Sequence, residues 1–205
     1  MKKLLQQPSA LAMIAVCSLL VSGLAPYDRM VWLLEVFPIL IGLPVLLCTY
    51  GHFRFTNLVY LLLLIHAIIL MIGGHYSYAR VPAGLWFQDL FHLSRNHFDR
   101  LGHLAQGFIP AMVTREILLR RSPLVAGKWL SGIVLAICLA ISASYEFIEW
   151  WVALLGGYQA EEFLATQGDV WDTQWDMFLA LVGAAIALLT LSRYHDHQLQ
   201  KHDYR

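Results

Sequence analysis

Six windows of this 205-residue chain, 9–25, 30–49, 57–73, 100–119, 129–152 and 174–192, are apolar over most of the roughly 20 residues needed to cross hydrocarbon as a helix. No other feature limits the fold so strongly. Within a bilayer, backbone N–H and C=O groups find no water, so an apolar run of this length must satisfy them internally as a helix. Composition agrees: 59% of the residues are hydrophobic and 14% are charged, against about 25% charged in an ordinary soluble domain. The expected class is all-α, a polytopic helical membrane protein with about six transmembrane helices in a single integral membrane domain, residues 1–205. Window 57–73 is short, and window 30–49 carries Glu35 with Pro38 and Pro44, from which a kink is expected. The chain holds no internal repeat, low-complexity tract or linker.

The amino-terminal stretch, a Lys pair followed by an apolar run, imitates a secretory signal. It reads as an uncleaved first helix, because no small-x-small cleavage site ends it. Val16 before Cys17 also departs from a lipoprotein signal. Cys17, Cys48 and Cys138 each fall in an apolar window without metal-ligand or disulfide spacing, and are expected to pack.

Loop charge sets the expected orientation. With the amino terminus in the cytoplasm, the inner segments hold Lys2, Lys3, Arg54, Arg115, Arg120, Arg121, Lys128, Arg193, Lys201 and Arg205. The outer ones hold Arg29, Arg80, Arg95 and Arg100, which completes the 14 basic residues. Both termini are then cytoplasmic. The 14 acidic residues balance the basic ones, so nothing points to nucleic acid, and membrane lipid is the expected partner.

On this topology three polar clusters reach the same outer depth: Asp99 and His103, Glu146 and Glu149, and Asp172 and Asp176. Asp99 and His103 are four residues apart, about 40° around a helix, and Gln106 follows on that face. Glu146 and Glu149 also share a face. Asp169, Asp172 and Asp176 form an i, i+3, i+7 stripe that Gly183 continues. Gly183-Ala184-Ala185 offers a small surface for close helix approach, with Ala140, Ser142, Ala143 and Ser144 as an opposing surface. Outer loops 74–98 and 153–171 add His75, Asp89, His92, His97 and Asp169. Ionisable groups cost roughly 2.5–3.5 kcal/mol near mid-membrane, so these are expected to face one another in a pocket. Five carboxylates cannot all stay charged there without His103, Arg95 or Arg100, bound protons, or a divalent metal.

The segments RNHFDRLGH (95–103), SYEFIEW (144–150) and GDVWDTQWDMFLALVGA (168–184) resemble the YjdF family of bacterial inner-membrane proteins, a family without an established biochemical function. That likeness runs through most of the chain and implies an inner-membrane location. A more distant similarity is to VanZ-like membrane proteins. Their pattern is Asp-x-x-x-His opening one helix, Glu near the end of the next, then Asp-x-x-x-Asn before a Gly-Ala pair. Asp99 and His103 match the first element, Glu146 or Glu149 the second, and Asp172 and Asp176 the third. Asp176 stands where Asn is usual. VanZ-like proteins are associated with glycopeptide resistance and the cell envelope, but the likeness implies no reaction.

Three readings of the cluster remain open. The groups can be a polar lock between helices. They can be catalytic residues, with His103, Glu149, Asp172 and Asp176 as ligands to zinc, manganese or magnesium acting on an envelope or lipid substrate. Asp99 would then orient the His103 ring. Or they can be a proton or cation path, for which Glu35 and His66 are the mid-span candidates. His66 alone reads as a hydrogen-bonded core histidine. Trp86, Trp150, Trp151, Trp171 and Trp175 read as an outer aromatic belt. Residues 84–94 read as an interfacial amphipathic helix or a lid, and RYHDHQLQKHDYR as a solvated cytoplasmic tail.

Overall fold

In a computed structural model, residues 7–156 and 164–201 are described; Lys2, Lys3, Arg205 and part of loop 153–171 lie outside them. The chain runs through α1 (Pro8–Ser22), α2 (Arg29–Thr49), α3 (Asn57–Tyr76), a 3₁₀ turn (Tyr78–Arg80), α4 (Pro82–Phe91), α5 (Phe98–Arg121), α6 (Lys128–Gly156) and α7 (Asp172–Lys201). Each of the six windows is a helix, and α2 continues through both prolines. Local chemistry sets several ends. Asp28 caps α2 by accepting from the Met30 and Val31 N–H groups. Pro8 and Pro82 open α1 and α4, where their missing N–H costs nothing.

Four helices, α2, α3, α6 and α7, are long and apolar enough to cross a membrane; the expected count of about six needs two more. α1 is apolar but has only 15 residues, and α5 has 24 residues but is more polar on average than the other long helices. The polarity of α5 is turned inward: Asp99, His103, Arg115 and Glu116 are all buried, covered by α3, α6 and α7. Apolar side chains occupy the outside instead, with Phe37, Ile41 and Val45 of α2 all half exposed. That is the arrangement expected when the surrounding solvent is hydrocarbon.

The closest helix pair is α5 with α7, running parallel through the middle of the bundle. A Cβ on Gly107 would strike the Ala180 carbonyl, and one on Gly183 would strike the Leu104 carbonyl. Gly183 therefore meets α5, not the small residues of α6 expected to oppose it. Ser142 of α6 is buried all the same. α4 has no buried residue and exposes Trp86 and Phe91. Trp150, Trp151, Trp171 and Trp175 are also exposed. Of the cysteines only Cys138 packs inside; Cys17 and Cys48 are exposed.

At the C-terminal ends of α5 and α7 a second polar cluster is buried. Arg115 Nη1 donates to His195 Nδ1 over 2.9 Å, and His195 Nε2 faces Glu116 Oε2 over 2.9 Å. A guanidinium can only donate, so His195 accepts at Nδ1 and donates from Nε2. Glu116 also accepts from the backbone N–H of Thr56, the Thr56 hydroxyl and Arg120, while Arg115 reaches Asp196. Thr56 is the N-cap of α3, so this carboxylate also closes the α3 amino terminus. The segment expected to be a solvated tail is thus helical to Lys201, with His195 fully buried.

Overpacking the α5–α7 waist should be costly. Gly107→Val is expected to destabilise the fold by about 1–3 kcal/mol or more. Gly42→Ala, whose Cβ meets nothing within 4 Å, should be neutral or slightly stabilising in thermal melts in detergent.

Candidate functional site

The parallel α5–α7 pair brings Asp99 and His103 of α5 beside Asp172 and Asp176 of α7, and α6 adds Glu146 and Glu149. All six are buried. His103 is the centre. Its Nε2 lies 3.4 Å from Asp99 Oδ1 and 3.7 Å from Asp176 Oδ2; its Nδ1 lies 4.0 Å from Glu146 Oε1. His103 Nδ1 has one close partner, Gln106 Oε1, at 3.0 Å. Since that oxygen only accepts, Nδ1 carries the proton, and Nε2 faces two carboxylates, as an N–H donor in the imidazolium or, with a cation between them, as a ligand.

These separations decide what the cluster is suited to. At 3.4–3.7 Å the Nε2–carboxylate pairs are longer than ordinary charge-assisted hydrogen bonds of about 2.7–2.9 Å. Ligands about 2.0–2.2 Å from one small cation stand roughly 3–4 Å from one another. Asp99, His103 and Asp176 form one group whose ligand atoms lie within 4.8 Å of each other, and His103, Glu146 and Glu149 form another. The first group is favoured, because the second would need Nδ1, which Gln106 already occupies. Asp99 Oδ2, Glu146 Oε1 and Asp176 Oδ1 are buried without a hydrogen-bond partner. An orphaned buried carboxylate oxygen is costly unless a cation or proton serves it.

Asp172 stands apart. Arg95 Nη1 donates to its Oδ1 over 2.5 Å and to Asp169 Oδ2 over 3.4 Å, and Arg100 reaches Asp169 over 2.8 Å. Arg95 Nη2 lies 3.6 Å from Asp99 Oδ2. The two arginines therefore neutralise the rim of the cluster, and His103 stays with the inner carboxylates. Arg95 is held by the backbone around it. Asn96 exchanges two bonds of 2.9 Å with Gln167 and donates to the Ala79 and Val81 carbonyls. Of the loop residues expected nearby, Asp169 joins the site. His75 bonds the Ser22 carbonyl, and Asp89 and His92 are exposed.

Four contributors escape a reading based on span ends. A cavity of about 540 Å³ adjoins the cluster and is lined by Glu35 of α2, His66 of α3, Tyr78, Asp99, His103, Gln106, Tyr145 and Glu149, with apolar residues beyond them. Glu35 is buried with Tyr78 and Tyr145 as polar neighbours. Tyr78 lies against Gly73 and Gly102; burial first, then the Glu35 carboxylate, pushes its phenol well above the usual range, so it stays a donor. His66 Nε2 and the Tyr145 hydroxyl have no hydrogen-bond partner, so His66 is not the bonded core histidine expected. α4 contributes nothing to the wall of this cavity.

The profile of a family described as predicted membrane protein (DUF2238) matches residues 8–197. The chain is also 46% identical over 201 residues to the inner membrane protein YjdF of Escherichia coli strain K12, covering 98% of this chain and 95% of that one. This chain belongs to the DUF2238 family. Its relative and its apolar helices make it a multi-pass inner-membrane protein. No solved structure matches the chain. The VanZ-like likeness is not carried by these matches and rests on its residue pattern alone.

A lock and a site respond differently to mutation. Glu116→Ala takes the buried acceptor away from His195 Nε2 and from the Thr56 N–H and hydroxyl and should cost on the order of 3–5 kcal/mol. Asp176→Asn removes one carboxylate from a cluster of like charges. In chelator-treated protein it should leave the melting temperature unchanged or raise it, since functional clusters store repulsion.

Proposed function

We propose that this chain is a membrane-embedded, metal-assisted enzyme acting on an envelope or lipid substrate, with its site at the N-terminal ends of α5 and α7. One observation carries the reading. Nε2 of His103 faces Asp99 and Asp176 at separations that suit shared ligands, while one oxygen of each carboxylate is buried without a hydrogen-bond partner. Gln106 fixes the ring from its other nitrogen, as partners of metal-bound histidines do.

In this reading Asp99, His103 and Asp176 would hold a divalent ion, which would supply Lewis-acid polarisation of a phosphoryl or acyl oxygen and a bound water of lowered pKa. The residues around it do the rest. Glu146, whose Oε1 is buried without a hydrogen-bond partner, would take or return the proton there, and Glu149 stands on the same helical face. Tyr78 and Tyr145 offer hydroxyls to substrate oxygens from the cavity wall. Arg95 holds Asp172 and keeps the rim neutral. A proton or cation path is less well supported. Past Glu35 and His66 the cavity wall is mostly apolar, with Leu43, Leu46, Leu63 and Leu64, and no further carboxylate, histidine, lysine or arginine continues it towards Tyr50 and Tyr60.

The proposed membrane has six crossings, α1 and α5 included, with both termini cytoplasmic and the cluster near the periplasmic face. The bias of Lys and Arg towards one set of loops supports this. A fluorescent-protein fusion at the carboxy terminus should fluoresce and an alkaline-phosphatase fusion there should be inactive; the reverse pattern places the cluster on the cytoplasmic side.

Elemental mass spectrometry tests the site itself. Purified protein is expected to hold close to one divalent ion per chain, and His103→Ala and Asp176→Ala should each lose most of it. Metal-free wild-type protein whose two variants both melt lower would return the cluster to a packing role.

A further inference from the structure

The cavity is much longer than the cluster it adjoins. Its α2 wall includes Glu35, Ile39, Gly42, Leu43, Leu46 and Tyr50, spaced as one unbroken helical face. From Glu35 to Tyr50 that face is about 22 Å long at 1.5 Å per residue. One leaflet of a bilayer has a hydrocarbon depth of roughly 15 Å, half of the core, so an entire lipid chain fits along it. The end at Glu35 is polar, and the remainder is lined by aliphatic side chains of α1, α2 and α3.

The cavity also opens sideways. α2 packs on α3, while α6 packs on α5 and α7, and residues of both α2 and α6 line the cavity. Leu47 of α2 and Ile141 of α6 line the cavity and are 61% and 41% exposed, so the opening faces the surroundings of the bundle, which for these helices is lipid. At Gly42 the wall is hollow: a Cβ there would meet nothing within 4 Å. At the polar end, His66 Nε2 and the Tyr145 hydroxyl are buried without hydrogen-bond partners and both line the cavity.

We infer that this cavity binds a lipid phosphate that enters between α2 and α6, its apolar chain lying along the Glu35–Tyr50 face and its phosphate oxygens at the His103 cluster. The phosphate rests on the metal reading above, because a cation among carboxylates is what turns an acidic pocket into an anion site. The chain groove does not depend on it. Two sources share this chemistry, a glycerophospholipid and a polyisoprenyl phosphate.

The test uses the full chain in phosphatidylethanolamine–phosphatidylglycerol vesicles containing a trace of phosphatidic acid with a diazirine in its acyl chain. After irradiation, labelled residues are mapped by peptide mass spectrometry. Label should concentrate at Ile39, Leu43 and Leu46 and fall at least fivefold in Gly42→Trp, whose ring fills the hollow. Gly42→Leu, a milder filling, should give an intermediate loss, and both variants should melt as folded proteins. Excess unlabelled lipid phosphate should displace the label where a diacylglycerol does not. The better competitor, phosphatidic acid or polyisoprenyl phosphate, identifies the source. Label spread evenly onto outward-facing Phe37, Ile41 and Val45 and unchanged by Gly42→Trp would mean surface lipid only and overturn the inference. Equal displacement by diacylglycerol would overturn the phosphate. Metal measured on the same samples separates the two readings: labelled grooves in metal-free protein leave the groove standing without the ion, and metal-loaded protein with an unlabelled groove removes the groove alone.

Discussion

The backbone contact between α5 and α7 is what the rest of the structure depends on. Gly107 and Gly183 let the two helices approach until carbonyl groups occupy the space a side chain would take. In a membrane such closeness replaces the hydrophobic effect, which offers no gain for one apolar helix against another in lipid. Its consequence is geometric. Along α5 the buried face runs Asp99, His103, Gly107, Ala111, Arg115; along α7 it runs Asp172, Asp176, Ala180, Gly183, Ala187 and on to His195. Small residues in the middle bring polar residues at both ends into register. One waist therefore makes two buried polar clusters.

The two clusters are built alike and finished differently. At the C-terminal end, Arg115, Glu116, His195, Thr56, Arg120 and Asp196 form bonds mostly between 2.7 and 3.0 Å, with positive and negative groups alternating. None of their side-chain atoms is among the unpartnered ones. At the N-terminal end, acidic groups outnumber their partners, the distances are longer, and oxygens are left over on three carboxylates. Lipid and helix packing are common to both, so neither explains the difference. A fold that can satisfy one buried cluster completely has no structural need to leave the other short, and imbalance of this kind concentrates where a protein binds something.

Much of this was legible in the sequence, because membrane helices announce themselves by length and because i, i+3 and i+4 spacing places side chains on faces. All six windows are helices, and Asp99, His103, Glu146, Glu149 and Asp176 meet as their spacing implied, with Asp172 joined to them through Arg95. What escaped was mostly relational. Glu35 and His66 sit in mid-span, and only the packing of α2 and α3 shows that they reach the same cavity as His103. Tyr78 carries no spacing signal at all, since a turn delivers it. Gly183 was expected to oppose the small residues of α6 but meets Leu104 and Phe108 of α5, a choice that a single helical wheel cannot rank. Arg115 and Arg120 counted as loop charge, yet they are the positive half of a buried network, and His195 was hidden in a segment whose composition reads as solvated.

That last confusion has a physical root. Hydropathy averages a helix around its circumference, but a membrane judges only the part of the circumference it touches. α5 is too polar by composition to qualify as a span, and its buried Asp, His, Arg and Glu side chains never meet lipid, because α3, α6 and α7 cover them. α2 is the opposite case. It is apolar all round, yet one face turns inward to line a cavity that begins at a buried glutamate. The most polar helix is enclosed by neighbours and an apolar one frames the opening. The energetics permit this only if the polar helix assembles with its partners, since Asp99, His103, Arg115 and Glu116 alone in hydrocarbon would each cost several kcal/mol. The waist at Gly107 and Gly183 is therefore both the contact that aligns the site and the contact that makes a helix carrying it tolerable in a membrane.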